Sequence, residues 1–172
     1  MKNCKEFELD DLLAVTAIPV GDFQLGTAAW QLKPTIPNAS LGIESAFSER
    51  TIVIGQTRAT KVVNNVTQTV GKLVPIKRTT GKAKDAEGDS VAGRKHTVSV
   101  TCEADDRDGT VWDYLLTLER TPSHLLLTFR GGQRAFVAAT EDTYTCEVER
   151  NGAKTSVSLK VENLMGIQLI TA

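Results

Sequence analysis

Residues 108–168, DGTVWDYLLTLERTPSHLLLTFRGGQRAFVAATEDTYTCEVERNGAKTSVSLKVENLMGIQ, decide the fold class. Asp108-Gly109-Thr110 reads as a turn and N-cap, with Thr110 and Asp113 three apart as a capping-box pair. Val111, Trp112, Leu115, Leu116 and Leu118 then recur at helical spacing. Arg120 suits the helix C-terminus and Pro122 ends the helix. Past Pro122 the chain takes on strand character. His124–Phe129, Arg134–Ala139, Thr143–Arg150 and Lys154–Asn163 are apolar or alternating runs, with turn signals at Gly131-Gly132 and Asn151-Gly152. One helix thus covers a series of antiparallel strands. The expected core is Trp112, Leu115, Leu116, Leu125, Leu127, Phe129, Phe136, Val148, Val157, Leu159 and Val161.

Upstream, the pattern is less regular. Phe7, Leu9, Leu12, Leu13 and Val15 fit either a short helix or an edge strand. Phe23–Leu32 reads as a strand. Lys33–Ser48 carries Pro34, Pro37, Asn38 and Gly42 among a few apolar anchors, and reads as an extended arm or linker. A β-branched run occupies Glu49–Ile54. Thr60–Val70 alternates loosely, Gly71 marks a turn, and Lys72–Arg78 is a strand whose Pro75 favours an edge or bulge. Thr79–Gly93 has three glycines, both signs of charge and almost no large apolar group, so a long polar hairpin loop is expected there. His96–Glu103 resumes strict alternation, with Val98, Val100 and Cys102 on one face. The whole predicts a single domain over 1–172, mainly β: an antiparallel sandwich or barrel with one helix, a long hairpin loop and extended arms.

Composition narrows the function classes. The hydrophobic fraction, 41%, suffices for a real core. A net charge of -1 gives no global reason to bind nucleic acid, and 5% aromatic residues make a poor stacking platform for single strands. No apolar run in the sequence matches a bilayer span. The segment Met1–Asp11 is too acidic for a signal peptide, so residence in a cytoplasm is expected. Three cysteines without close pairs suit reduced thiols better than a disulfide framework.

Site motifs fail on spacing. Placing Gly109 at the glycine position of a calcium loop puts Ala104 and Leu115 at the first and last ligand positions, where oxygens are required. His96 and His124, the two histidines, lack zinc-ligand spacing to each other or to Cys102 and Cys146. Ser123 and His124 are adjacent on a strand and therefore point to opposite faces. No nucleophile elbow or phosphate loop occurs. The expectation is a protein with no catalytic residues, no metal site and no cofactor.

In its order of elements the chain resembles the tail tube (major tail) proteins of long-tailed bacteriophages. The likeness is strongest over Gly109–Ile170, where the helix Trp112–Arg120 precedes strands ending in Thr155–Gln168, and the polar stretch Thr79–Gly93 is similar to the family's stacking loop. The resemblance implies a structural virion protein, assembled in the host cytoplasm into stacked, hexameric rings around a channel. Its partners would be further copies of itself and other tail proteins, with DNA passing through without sequence-specific binding and no membrane involved. Under this reading Lys77, Arg78, Lys82, Lys84, Asp85, Glu87, Asp89, Arg94 and Lys95, in and around the loop, are candidates for contact between subunits. The alternative class is a monomeric β-sandwich module that binds a protein or carbohydrate, for which exposed aromatic side chains would be needed.

Overall fold

The computed structural model describes residues 6–9, 11–20, 35–37, 53–54, 59–63, 66–74, 76–91, 93–105 and 111–171. They form thirteen strands and one helix, in the order β1 (Glu6–Leu9), β2 (Leu12–Pro19), β3 (Thr35–Pro37), β4 (Val53–Ile54), β5 (Ala59–Val63), β6 (Val66–Val74), β7 (Lys82–Ser90), β8 (Gly93–Glu103), α1 (Val111–Arg120), β9 (Ser123–Phe129), β10 (Arg134–Val137), β11 (Tyr144–Asn151), β12 (Lys154–Asn163) and β13 (Gln168–Thr171). Two sheets pack as a sandwich. The first is antiparallel, in the order β1-β7-β8-β12-β11. The second runs β3-β13-β10-β9-β2-β6-β5-β4, with an antiparallel centre of β10, β9, β2 and β6, and β3 added in parallel to β13.

Alternation in the sequence becomes the two-faced character of the first sheet. On β8, Val98, Val100 and Cys102 are buried, and on β12 so are Val157, Leu159 and Val161. The register places Val98 opposite Val161, Val100 opposite Leu159 and Cys102 opposite Val157, so these side chains form one apolar layer. The second sheet answers it with Val15 and Ala17 from β2, Leu125, Leu127 and Phe129 from β9, and Ala135 and Val137 from β10. β2 lies between β9 and β6. A central strand shielded on both faces tolerates a near-continuous apolar run, and Val15 to Ile18 are all buried. The N-terminal segment is therefore strand and not helix, but of its two strands only β1 is at an edge; β2 is central, contrary to the edge strand expected for Leu12 to Val15.

α1 begins at Val111, as expected, while Asp108, Gly109 and Thr110 lie outside the described residues. Its buried residues are Val111, Leu115 and Leu118, an i, i+4, i+7 stripe. Leu116 was expected in the core but is exposed, because it falls about 140° round the helix from Val111. Trp112 and Val148 were also expected there and are only half-buried. Trp112 flanks the stripe, under the guanidinium of Arg150, whose Cζ lies 4.5 Å from the ring centroid. The other expected core residues are buried.

Three further expectations change. Thr79–Gly93 is no long loop: β7 pairs with β8 from Lys82↔Thr101 to Ser90↔Gly93, leaving a tight turn. Its polar composition had hidden a strand whose inward positions are small or hydrogen-bonded. Gly71 is not a turn but an internal residue of β6, opposite Ala59. The chain reverses earlier, between Val63 and Val66, which face each other across the β5–β6 hairpin. Of the arm at Lys33–Ser48, Thr35–Pro37 is strand β3, and the remainder lies outside the described residues, as does the strand expected at Phe23–Leu32. Of Glu49–Ile54, only Val53–Ile54 is described, as β4.

Candidate assembly surface

The β7–β8 hairpin carries most of the candidate contact residues. Near its base it belongs to the sandwich, with Ala83, Val98 and Val100 fully buried. Beyond that level it leaves the apolar layer. Gly88, Asp89, Val91, Gly93 and Arg94 are exposed, and Val91 at the tip is completely bare. The ladder nevertheless stays in register to its end. A ladder whose distal half buries nothing apolar is a two-stranded projection, held by its cross-strand hydrogen bonds and the first part of the sheet to open.

Asp85 departs from the rest of the candidates because it is buried. One carboxylate oxygen lies 2.9 Å from Nδ1 of His96, and the other accepts the N–H of Ile167 at 2.9 Å. The Asn163–Ile167 turn that presents this N–H is held by Asn163, whose side-chain oxygen accepts from Met165 at 3.1 Å and whose amide donates to Ala138 O at 2.9 Å. Gly166, at φ +66, packs directly on the carboxylate and on the His96 ring, where any Cβ would overlap both. Asp85 therefore fixes the hairpin to the body of the same subunit and is withdrawn from contact with a neighbour.

The remaining candidates are at the surface, and several are engaged within the chain. Lys77 lies 3.5 Å from Glu103, Arg94 lies 3.0 Å from Glu87, and Lys95 lies 2.6 Å from Glu162. Lys154 reaches Glu103 at 3.0 Å. The hydrogen bond from Lys154, then its charge and that of Lys77, hold the Glu103 carboxyl below the usual carboxylate range, and Lys95 does the same for Glu162. Arg78, Lys82 and Asp89 are exposed and Lys84 is half-buried. Glu103, Lys154 and Glu162 were missed from sequence, since only the β8–β12 register brings them beside the candidates.

The outward face of the first sheet is hydroxyl-rich. Thr97, Ser99 and Thr101 on β8 lie beside Glu162, Lys160 and Ser158 on β12. An open groove of about 420 Å³ runs over one end, lined by Thr80, Lys82, Thr101, Glu103, Glu147 and Lys154 among others. It contains no aromatic ring.

The residues weighed for metal or nucleophilic chemistry are dispersed. His96 is on β8, in the first sheet, and His124 is on β9, in the second. His124 is buried, and its Nδ1 accepts the N–H of Ala139 at 2.9 Å, a structural role. Cys102 and Cys146 are free thiols on the two strands that flank β12, one strand spacing too far apart for a disulfide. Burial pushes each up to about 12, so both are held as neutral, unreactive thiols. Among the described residues no group of three His, Cys, Asp or Glu side chains is placed to hold a metal ion. Among them also, no helix is long and apolar enough to cross a membrane.

Comparison of the chain with protein-family models, with curated proteins and with solved structures finds no match.

Proposed function

We propose that this protein is a structural, self-assembling subunit of the tail tube of a long-tailed bacteriophage, forming stacked rings around a channel that conducts DNA. The observation that carries the reading is the β7–β8 hairpin, which keeps its ladder intact out to a bare Val91 tip well beyond the apolar layer. A polar projection from a sandwich is suited to reaching a neighbouring copy, where burial on assembly offsets the cost of ordering it. The order of elements noted in the sequence, a helix leading into consecutive strands after a polar hairpin, supports the same reading. Rings of this kind would be built in the host cytoplasm and retained in the virion, with other tail proteins at their ends. The protein acts by shape and has no catalytic step.

A monomeric binding module for a carbohydrate or protein is the competing class. Among the described side chains no aromatic is exposed, so the described surface offers a sugar no ring to stack on. Electron microscopy and sedimentation of the purified chain test the proposal. Rings and stacked tubes are expected as concentration rises. A chain that sediments as a monomer at every concentration and salt would overturn it in favour of the binding module.

A further inference from the structure

The β11 edge of the first sheet is covered in an unusual way. Among the described residues β11 pairs with β12 alone, and an edge strand offers unpaired N–H and C=O groups to any incoming strand. Here α1 lies against that edge. Glu119 Oε1 accepts the N–H of Val148 at 2.7 Å, a backbone donor in the middle of β11. Tyr144 donates its hydroxyl to Leu118 O at 2.9 Å, and Arg150 stacks on Trp112. The helix is thus held at residues 144, 148 and 150 of the strand, all on the same side.

Backbone N–H and C=O of one residue in an antiparallel strand point to the same side, and neighbours alternate. Because Val148 N–H points away from β12, Cys146 and Arg150 present their backbone groups outward as well. A second β11 pairing about Val148 would set Glu147 opposite Glu149 on the exposed face, a like-charge pair. Carboxylates therefore meet an approaching strand twice: one occupies the central donor, and a row of two repels a copy of the same strand.

We propose that the last turn of α1 is an autoinhibitory clasp on the β11 edge, in which Glu119 blocks strand addition by a second copy of this chain and Glu147 and Glu149 reinforce the block. The clasp is independent of the tail-tube reading, since it concerns an edge that either a tube subunit or a monomeric module must protect.

The test uses the full chain at a concentration below its own assembly. Hydrogen exchange at Val148 should quicken by at least about tenfold in Glu119→Ala and stay near wild type in Glu119→Gln, which keeps an acceptor oxygen. Sedimentation should show no new association for Glu147→Thr/Glu149→Thr, where the clasp persists. The triple variant with Glu119→Ala should dimerise. Adding Val148→Pro should abolish that dimer, because the outward N–H is gone while the bonds to β12 are untouched. Circular dichroism confirms that each variant is folded. A triple variant that sediments like wild type, unchanged Val148 exchange in Glu119→Ala, or a dimer that survives Val148→Pro would each overturn the proposal.

Discussion

His96 and Asp85 face each other diagonally across the β7–β8 hairpin, with Nδ1 2.9 Å from Oδ1. They sit where the apolar layer ends and the projecting half begins. Asp85 also takes the N–H of Ile167, a residue 82 positions later in the chain. This carboxylate therefore ties together a hairpin and a turn that sequence separates widely.

Replacing Asp85 by Ala strands a buried N–H and a histidine, and should cost about 2–4 kcal/mol. Gly166→Ala should cost a similar amount, about 2–4 kcal/mol, through its left-handed φ together with the overlap on Asp85 and His96. The two effects should be strongly non-additive, since both disrupt one contact. Urea denaturation of the two single variants and the double variant measures this. Full additivity would show that Gly166 and Asp85 act separately.

The helix offers a second comparison. Leu115 is completely buried, so Leu115→Ala should cost about 2–5 kcal/mol. Trp112 is half-buried beneath Arg150, and Trp112→Ala should cost only about 1–2 kcal/mol despite the larger side chain removed. Equal losses in denaturant titrations would mean that Trp112 is more enclosed than its exposure indicates.

Shortening the hairpin separates its folding from its proposed role. Replacing Asp89–Arg94 by Asn-Gly leaves Gly88 and Lys95 as the closing pair, in their existing register. It keeps Asp85–His96 and Lys95–Glu162 and loses the exposed Arg94–Glu87 bridge. Stability should change by less than about 1 kcal/mol. Long tubes should be lost, leaving monomers or single rings under the microscope. Normal tubes from this variant would remove the hairpin from the assembly contact.

Acid and alkali should act through different groups. Glu103 and Glu162 have folded carboxyls below the usual range, so their bridges contribute above the ordinary glutamate pKa and are lost as pH falls through the lowered values. High salt should shrink this acid-side loss, because the bridges are exposed. Cys102 and Cys146 are raised from 9.0 to about 12, so the stability tied to their neutral thiols is full below the ordinary thiol range and is lost as pH climbs toward 12. Thermal melting across pH, at low and high salt, checks both limbs. A thiol reagent at pH 8 should modify neither cysteine in the folded chain and both after unfolding.

The legibility of the fold in the sequence depends on what each element buries. Leu125, Leu127, Val157, Leu159 and Val161 face an apolar layer, and their spacing alone identified β9 and β12. β7 was missed because its inward positions include Ala83, too small to signal a strand, and Asp85, whose burial is satisfied by the distant Ile167 N–H. Its outward Lys82 and Lys84 look the same in a strand or a loop. Leu116 was misplaced because it was grouped with its neighbour Leu115 by residue type, whereas about 100° per residue turns it well away from the Val111, Leu115 and Leu118 stripe. Of the candidate contact set, Lys77, Arg94 and Lys95 were recognisable as surface cations, but their partners depend on cross-strand register. The edge role of Glu119 leaves no sequence signal, since an acidic residue in the last turn of a helix reads only as a solvated charge.

The place of β2 at the centre of the second sheet also governs when this chain can fold during synthesis. β2 leaves a ribosome before both of its partners: β6 begins about fifty residues after it and β9 roughly a hundred. β1, directly before it, waits for β7 in the opposite sheet. Val15 to Ala17 can thus meet β6 on one side well before β9 arrives on the other. Completion of the sandwich is a late event, gated by emergence of the segment after Pro122. Nascent chains arrested before that point should expose β2 to chaperones and proteases, and chains arrested past β12 should hide it.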